Sequence, residues 1–291
     1  SCGGGTAGQG RRVTEEAIDT GAPCASDTPD PRRWRILAVT LVVGFMSLLD
    51  VTIVNVAIPS IRSGLDSSAA TVQWVVSGYA LTFGLTLVAG GRLGDTYGRR
   101  RLMLVGLVGF VLSSAAVGFA PTAELVVVAR LLQGASAGLL TPQNTGLIQQ
   151  LFSGAERGKA FGYFGLTVSL ASATGPLLGG LIIGAAGDEI GWRLLFLVNV
   201  PIGLVAMVAI ARLVPGRDPD SSPERIDVVG AVLLGLTVLC LLYPLVRIEA
   251  DARLPLVLLV GVPVFAWAFG RWEHRLRERG HAPLLDLDLL R

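Results

Sequence analysis

Apolar residues in this chain gather into long runs, and eight of them reach membrane-crossing length: 36–61, 72–91, 102–120, 124–148, 160–186, 194–214, 228–246 and 254–270. A hydrocarbon core about 30 Å thick needs about 20 apolar helical residues to cross it. Lipid gives the backbone no hydrogen-bond partner, so each run is predicted as an α-helix. The expected fold class is therefore an all-α integral membrane protein. Pro59 and Pro176 fall inside the first and fifth runs, where each removes a backbone donor and predicts a bend.

The segments between the runs are short, and their charge alternates. One side collects Arg32, Arg33, Arg35, Arg92, Arg99, Arg100, Arg101, Arg157, Lys159, Arg212, Arg217, Arg225, Arg271, Arg275, Arg277 and Arg279. The other side has only Arg62, Arg193, Arg247 and Arg253. By the positive-inside rule the N-terminus and the segment after residue 270 lie in the cytoplasm. The chain divides accordingly. Residues 1–31 read as a disordered cytoplasmic tail, rich in Gly, Ser, Thr and Asp, with no apolar core to make a signal peptide. A six-helix unit occupies 32–214, a Pro-rich cytoplasmic linker 215–227, a further helix pair 228–270, and a charged cytoplasmic segment 271–291. The chain starts on Ser and stops within the charged stretch after His281, which suggests part of a longer protein.

Composition narrows the function. Apolar residues make up 52% of the 291, charged residues 16%, and mean hydropathy is +0.62. A soluble domain carries about 25% charged residues. A net charge of +2 argues against nucleic acid as a partner. Cys2, Cys24 and Cys240 are too scattered for a metal knot or a disulfide framework. The only histidines, His274 and His281, lie in the charged tail. No phosphate-binding loop, paired-histidine helix or nucleophile elbow occurs. The sequence thus points to no enzyme, no metal and no cofactor.

Charge inside the hydrocarbon region is costly, so each intramembrane ionisable group is a functional candidate. Asp50, in the middle of the first run, costs about 2.5–3.5 kcal/mol to insert and must face a cavity or a partner. Such a group can take up a proton from one side and release it to the other; the alternative is a structural hydrogen bond to a neighbouring helix. Asn55, five residues on, falls on a different stripe and either contacts substrate or bridges helices. Arg130 lies inside the fourth run, with Gln133 three positions later on the same face. Its guanidinium cannot lose its proton, so it either tunes a nearby carboxylate or snorkels to the surface. After the second run, Asp95 is surrounded by arginines in a glycine-rich turn, either a solvated loop or a hinge. The fifth run carries the small-x-x-x-small pairs Gly158/Gly162, Gly175/Gly179 and Gly180/Gly184, with Pro176 among them, suited to close helix packing or to rocking of two halves.

Together these segments resemble the major facilitator superfamily, and within it the fourteen-span drug:proton antiporter branch. Gly91-Arg-Leu-Gly-Asp95-Thr-Tyr-Gly98-Arg99-Arg100 resembles the family's loop between spans two and three, and Leu49-Asp50-Val-Thr-Ile-Val-Asn55-Val-Ala-Ile-Pro59 the first-span motif of that branch. Ala129-Arg130-Leu-Leu-Gln133-Gly134 is similar to the fourth-span motif, and Gly162 through Gly175-Pro176-Leu-Leu-Gly179-Gly180 to the fifth-span antiporter motif. Trp192-Arg193-Leu-Leu-Phe196, with Asn199-Val-Pro201, resembles the start of span six, and Pro283-Leu-Leu-Asp286 the stretch before span nine. Thr96 departs from the pattern, standing where a basic residue is common.

The resemblance implies the N-terminal six-helix bundle of the major facilitator fold plus two further transmembrane helices. It implies Asp50 and Arg130 in proton coupling, Asn55 and Gln133 in the substrate cavity, Gly91, Asp95, Gly98, Arg99 and Arg100 at the cytoplasmic gate, and Gly175, Pro176, Gly179 and Gly180 on the antiporter helix. The implied activity is proton-coupled export of drugs or other small molecules across a bacterial plasma membrane. The implied partners are the small-molecule substrate, protons, the bilayer and a C-terminal six-helix half that this chain lacks. Rival readings are an exporter of a specific metabolite or siderophore and, from another class, a non-transporting receptor or scaffold.

Overall fold

A computed structural model describes residues 30–216, 228–248 and 258–278. These residues form nine helices: α1 Arg33–Gly64, α2 Ala69–Tyr97, α3 Arg99–Gly118, α4 Ala123–Leu151, α5 Gly154–Ala186, α6 Asp188–Leu197, α7 Asn199–Leu213, α8 Val228–Ile248 and α9 Gly261–Glu278. The expected tail 1–31 and linker 215–227 fall mostly outside the described residues, as do Cys2, Cys24 and the Pro283–Asp286 stretch.

Helix ends follow from local chemistry. Ser68 caps α2 by accepting from the Thr71 N–H at 3.1 Å, and Thr122 caps α4 by accepting from the Leu125 N–H at 3.4 Å. Gly98, at φ 93°, turns α2 straight into α3, and Gly187, at φ 79°, turns α5 into α6. Only glycine takes that backbone region without penalty. Connections this short oblige successive crossings to run antiparallel.

The sixth crossing, Asp188–Leu213, is made of α6 and α7. Pro201 has no N–H to offer the Leu197 carbonyl four residues back, so the hydrogen-bond ladder is interrupted there. Val198 keeps helical angles (φ −58°, ψ −32°), and the crossing continues. Pro59 and Pro176, singled out in the sequence, lack the same donor, but the helix assignment does not break there. α1 and α5 are continuous helices through Pro59 and Pro176, and α4 through Pro142.

Among the described residues six helical crossings are long and apolar enough to span a membrane. α8 matches the seventh predicted run in extent and packs on α2 and α9. The eighth run, predicted as 254–270, begins in residues that are not described; the helix there starts at Gly261 and continues to Glu278, through Arg271 and Arg275. The apolar stretches described in this pair, Val232–Leu241 and Leu258–Trp272, are shorter than those of the other six crossings.

Within the bundle α2 lies along α4, α3 along α4 and α7, and α1 along α5. The tightest seam is α2–α4. A Cβ on Gly134 would collide with the Tyr79 carbonyl, one on Gly138 with Thr86 and the Phe83 carbonyl, and one on Gly90 would lie 2.8 Å from the Gly138 carbonyl. Glycine there lets the two backbones touch. The core has two large apolar clusters and a smaller third one of Leu37, Ile148, Phe152 and Ala160. Ile36, Met46, Met103, Phe110 and Ile210 fill the half nearer the N-terminus, while Ile53, Val75, Val126, Trp192 and Phe196 fill the other.

Candidate functional site

Between those two clusters lies a polar layer. On α1, Asp50 follows Met46 of one cluster and precedes Ile53 of the other; on α4, Arg130 and Gln133 stand between Val126 and Ala137. Asn199 opens α7 just before Pro201. Asp50, Arg130, Gln133 and Asn199 are each at most 2% exposed, so Arg130 points inward and does not snorkel.

The contacts are specific. Arg130 Nη1 donates to Asp50 Oδ2 in a fully buried ion pair. Gln133 Nε2 donates to Asp50 Oδ1 at 2.9 Å, and Asn199 Nδ2 donates to the same oxygen at 3.0 Å. Arg130 also donates from Nε to the Val75 carbonyl at 3.1 Å and from Nη1 to Gln133 Oε1 at 3.0 Å. Its guanidinium lies 4.2 Å from the centre of the Tyr79 ring and 5.6 Å from that of Phe196. Asn199 Nδ2 reaches the Ser114 hydroxyl at 3.1 Å, which donates to the Phe196 carbonyl at 2.9 Å. One carboxylate thus gathers donors from α4 and α7, while α2, α3 and α6 hold the second layer. A buried ion pair survives only when its remaining lone pairs and protons are also satisfied, and here they largely are.

The structure brings Asp50, Arg130 and Gln133 together and separates Asn55 from them. Gln133, expected on a cavity wall, is enclosed and bonded to both members of the ion pair. Asn55 is exposed on another face of α1, without a hydrogen bond to that cluster. Asn199, Ser114 and Tyr79 were not among the expected site residues. Asn199 had a usable signal, an amide inside an apolar run beside a proline; Ser114 and Tyr79 had none that distinguishes them from packing residues.

At the N-terminal end of the bundle the glycine-rich turn is folded onto two other helices. Asp95 Oδ1 accepts from Arg99 Nη2 within the turn. Arg99 reaches on to the Pro142 carbonyl at 3.5 Å, and its guanidinium occupies the space that a side chain at Gly146 would need. Arg100 donates to the Ala211 carbonyl in the last turn of α7, where helix carbonyls lack intrahelical partners. Gln143 Nε2 donates to the Gly90 carbonyl at 2.7 Å, and its amide fits only because Gly94 has no side chain. A Cβ on Gly91 would be in ordinary contact with Pro142, and Gly98 supplies the turn. On α5, Gly175 and Gly179 seat against Thr52, Ile53 and Val56 of α1, whereas Pro176 and Gly180 face outward.

The sequence profile of the Major Facilitator Superfamily matches residues 40–272, and the chain belongs to that family. It is 38% identical over 96% of its length to a probable actinorhodin transporter of Streptomyces coelicolor, covering 48% of that protein. It is 38% identical over 87% to the puromycin resistance protein pur8 of Streptomyces alboniger, covering 50%, and 36% identical over 93% to the multidrug efflux pump LfrA of Mycolicibacterium smegmatis, covering 52%. The chain thus spans about half the length of these relatives. Among solved structures it is similar in fold to the human organic anion transporter MFSD10 (TM-score 0.56, 20% identity, 72% of this chain and 55% of that one). A bacterial homologue of the lysosomal transporter Spinster, inward-facing and unoccupied, gives a TM-score of 0.57 at 16% identity, over 87% of this chain and 64% of that one.

Proposed function

We propose that this chain is the N-terminal half, with the accessory helix pair, of a fourteen-span exporter that exchanges drugs or related small molecules for protons across a bacterial plasma membrane. The observation that carries this reading is the Asp50–Arg130 pair, buried at mid-depth between two apolar clusters. With Asp50 ionised the pair is neutral. A proton on Asp50 leaves Arg130 as an unbalanced cation, because a guanidinium keeps its charge. An unpaired cation inside the bundle is costly, so protonation favours any conformation that gives Arg130 water or new partners. Proton uptake and rearrangement of α1, α4 and α7 are thereby linked. Asn199, beside the interrupted ladder at Pro201, ties the carboxylate to the most deformable point of the sixth crossing.

Substrate would bind between this half and a second six-helix half near the midplane, where alternating access moves one half against the other. Asn55 lies on an exposed face of α1 suited to that cavity. The turn from Gly91 to Arg100 would hold the inner gate, with the N-terminus in the cytoplasm as the arginine distribution requires. The export and resistance names of the relatives support a drug-like cargo. Drug-driven proton flux in vesicles containing the full-length protein tests the reading. Asp50→Asn abolishes the flux; unchanged flux would remove Asp50 from coupling, and no drug-stimulated proton movement in the unmutated protein would favour a receptor or scaffold.

A further inference from the structure

On the outer surface of the bundle α1 and α7 leave an apolar groove of about 410 Å³, lined by Val39, Val42, Pro201, Ile202, Val205 and Ala209. Its walls are apolar, and Val42 and Val205 remain 47% and 72% exposed. From Ala209 to Pro201 the helix rises about 12 Å, enough for the upper part of an extended acyl chain. Both helices carry an arginine in phase with the groove and one turn beyond its end. Arg35 precedes Val39 by four residues, and Arg212 follows Ala209 by three, so each stands on the groove-lining face. α1 starts and α7 finishes at the same end of the bundle, which places both guanidinium groups at headgroup level on one side.

Arg35 and Arg212 are exposed, and neither side chain has an ion-pair or hydrogen-bond partner among the described residues. No acid occurs on α1 before Asp50 or anywhere on α7. Arg100, donating to the Ala211 carbonyl, adds a third positive charge beside Arg212. Two free cations above a purely apolar slot match an anion joined to a hydrocarbon chain. A cationic drug would be repelled there, and a soluble anion would leave the slot empty.

We propose that this groove binds one anionic phospholipid, an acyl chain lying along α1 and α7 and the phosphate engaged by Arg35 and Arg212. The site is separate from the Asp50 cluster and independent of the transport reading. Native mass spectrometry of the purified full-length protein, titrated with dioleoyl phosphatidylglycerol or dioleoyl phosphatidylcholine, tests it. Phosphatidylglycerol is retained more tightly, and Arg35→Gln or Arg212→Gln weakens it about fivefold each, both together about 25-fold. Arg62→Gln, at the opposite end of α1, leaves retention unchanged, and Ala209→Trp displaces both lipids by filling the groove. Equal retention of the two lipids, or wild-type retention by the double arginine variant, overturns the headgroup assignment. Unaltered retention in Ala209→Trp, or no retained lipid because another helix of the longer protein fills the groove, overturns the site itself. The arginine substitutions are at exposed positions and keep the test informative if the tryptophan variant misfolds.

Discussion

At position 130 one guanidinium donates to Asp50, to Gln133 and to the Val75 carbonyl while lying over the Tyr79 ring. A lysine offers a point charge in place of this planar fork and cannot meet all of these partners at once. Arg130→Ala leaves Asp50 buried without its counter-charge, a loss of about 3–5 kcal/mol. Thermal unfolding of the purified protein should therefore fall sharply for Arg130→Ala. It should fall less for Asp50→Asn with Arg130→Gln than the two single changes add up to, because the pair is removed together. Asn199→Ala should cost less than Arg130→Ala, since Gln133 and Arg130 still bind the carboxylate. The sequence made Asp50 and Arg130 legible because charge in an apolar run has no inexpensive explanation. Gln133 was legible as a neighbour of Arg130 but not as a shared ligand of Asp50, since periodicity places a residue on a face without saying what faces it. Asn199 is neutral, so charge did not mark it, and its one signal, an amide inside an apolar run beside Pro201, does not say which group it meets.

At the scale of the element, glycines that look alike in sequence do different things. Gly134 faces the Tyr79 backbone, which cannot move aside as a flexible side chain would, whereas no described residue lies within 4 Å of a Cβ built on Gly180. Gly134→Ala should therefore lower stability by about 1–3 kcal/mol through overpacking. Gly180→Ala should leave stability unchanged or raise it by up to about 1 kcal/mol through helix propensity. Unfolding midpoints of the two variants in the same detergent decide this, and equal losses would mean that α5 is covered on that face too. The motif from Gly91 to Arg100 is built on the same logic, with Gly94 making room for Gln143 and Gly146 for Arg99. The small-x-x-x-small spacing in α5 announced close packing, but among the described residues only Gly175/Gly179 of its pairs meets a neighbour. Spacing shows that a helix can be approached closely and cannot name the helix that approaches. Proline was similarly ambiguous. Pro59, Pro176 and Pro201 all lack the donor, yet only at Pro201 does the helix assignment break, beside the buried amide of Asn199.

Across the whole molecule the crossings alternate, so that opposite ends of the bundle carry different chemistry. One end holds the Arg33–Glu156 and Arg99–Asp95 ion pairs and the contact of Arg100 with α7. The other holds the Ser60–Asp188 hydrogen bond at 2.9 Å and Arg193 on the carbonyls of Gly118 and Ala120. The first six crossings were legible because hydrocarbon thickness sets the length of each run, whereas the seventh and eighth predicted runs carry only shorter apolar stretches among the described residues. The arginine distribution predicts which end faces the cytoplasm. What lies against α5 was not legible, and only 17% of its apolar window is buried within this bundle. The orientation can be tested directly. Ser63 is exposed at the end of α1, and Ser153 is exposed at the start of α5 and makes no capping hydrogen bond, so cysteine at either position disturbs little. In a background with Cys2, Cys24 and Cys240 replaced, a membrane-impermeant maleimide added to intact cells should label Ser63→Cys. It should reach Ser153→Cys only after the membrane is permeabilised. The reverse pattern would put the Asp95 turn and its arginines outside, against the positive-inside rule, and would remove the proposed inner gate. Labelling of both positions in intact cells would mean that these crossings do not form a sealed bundle.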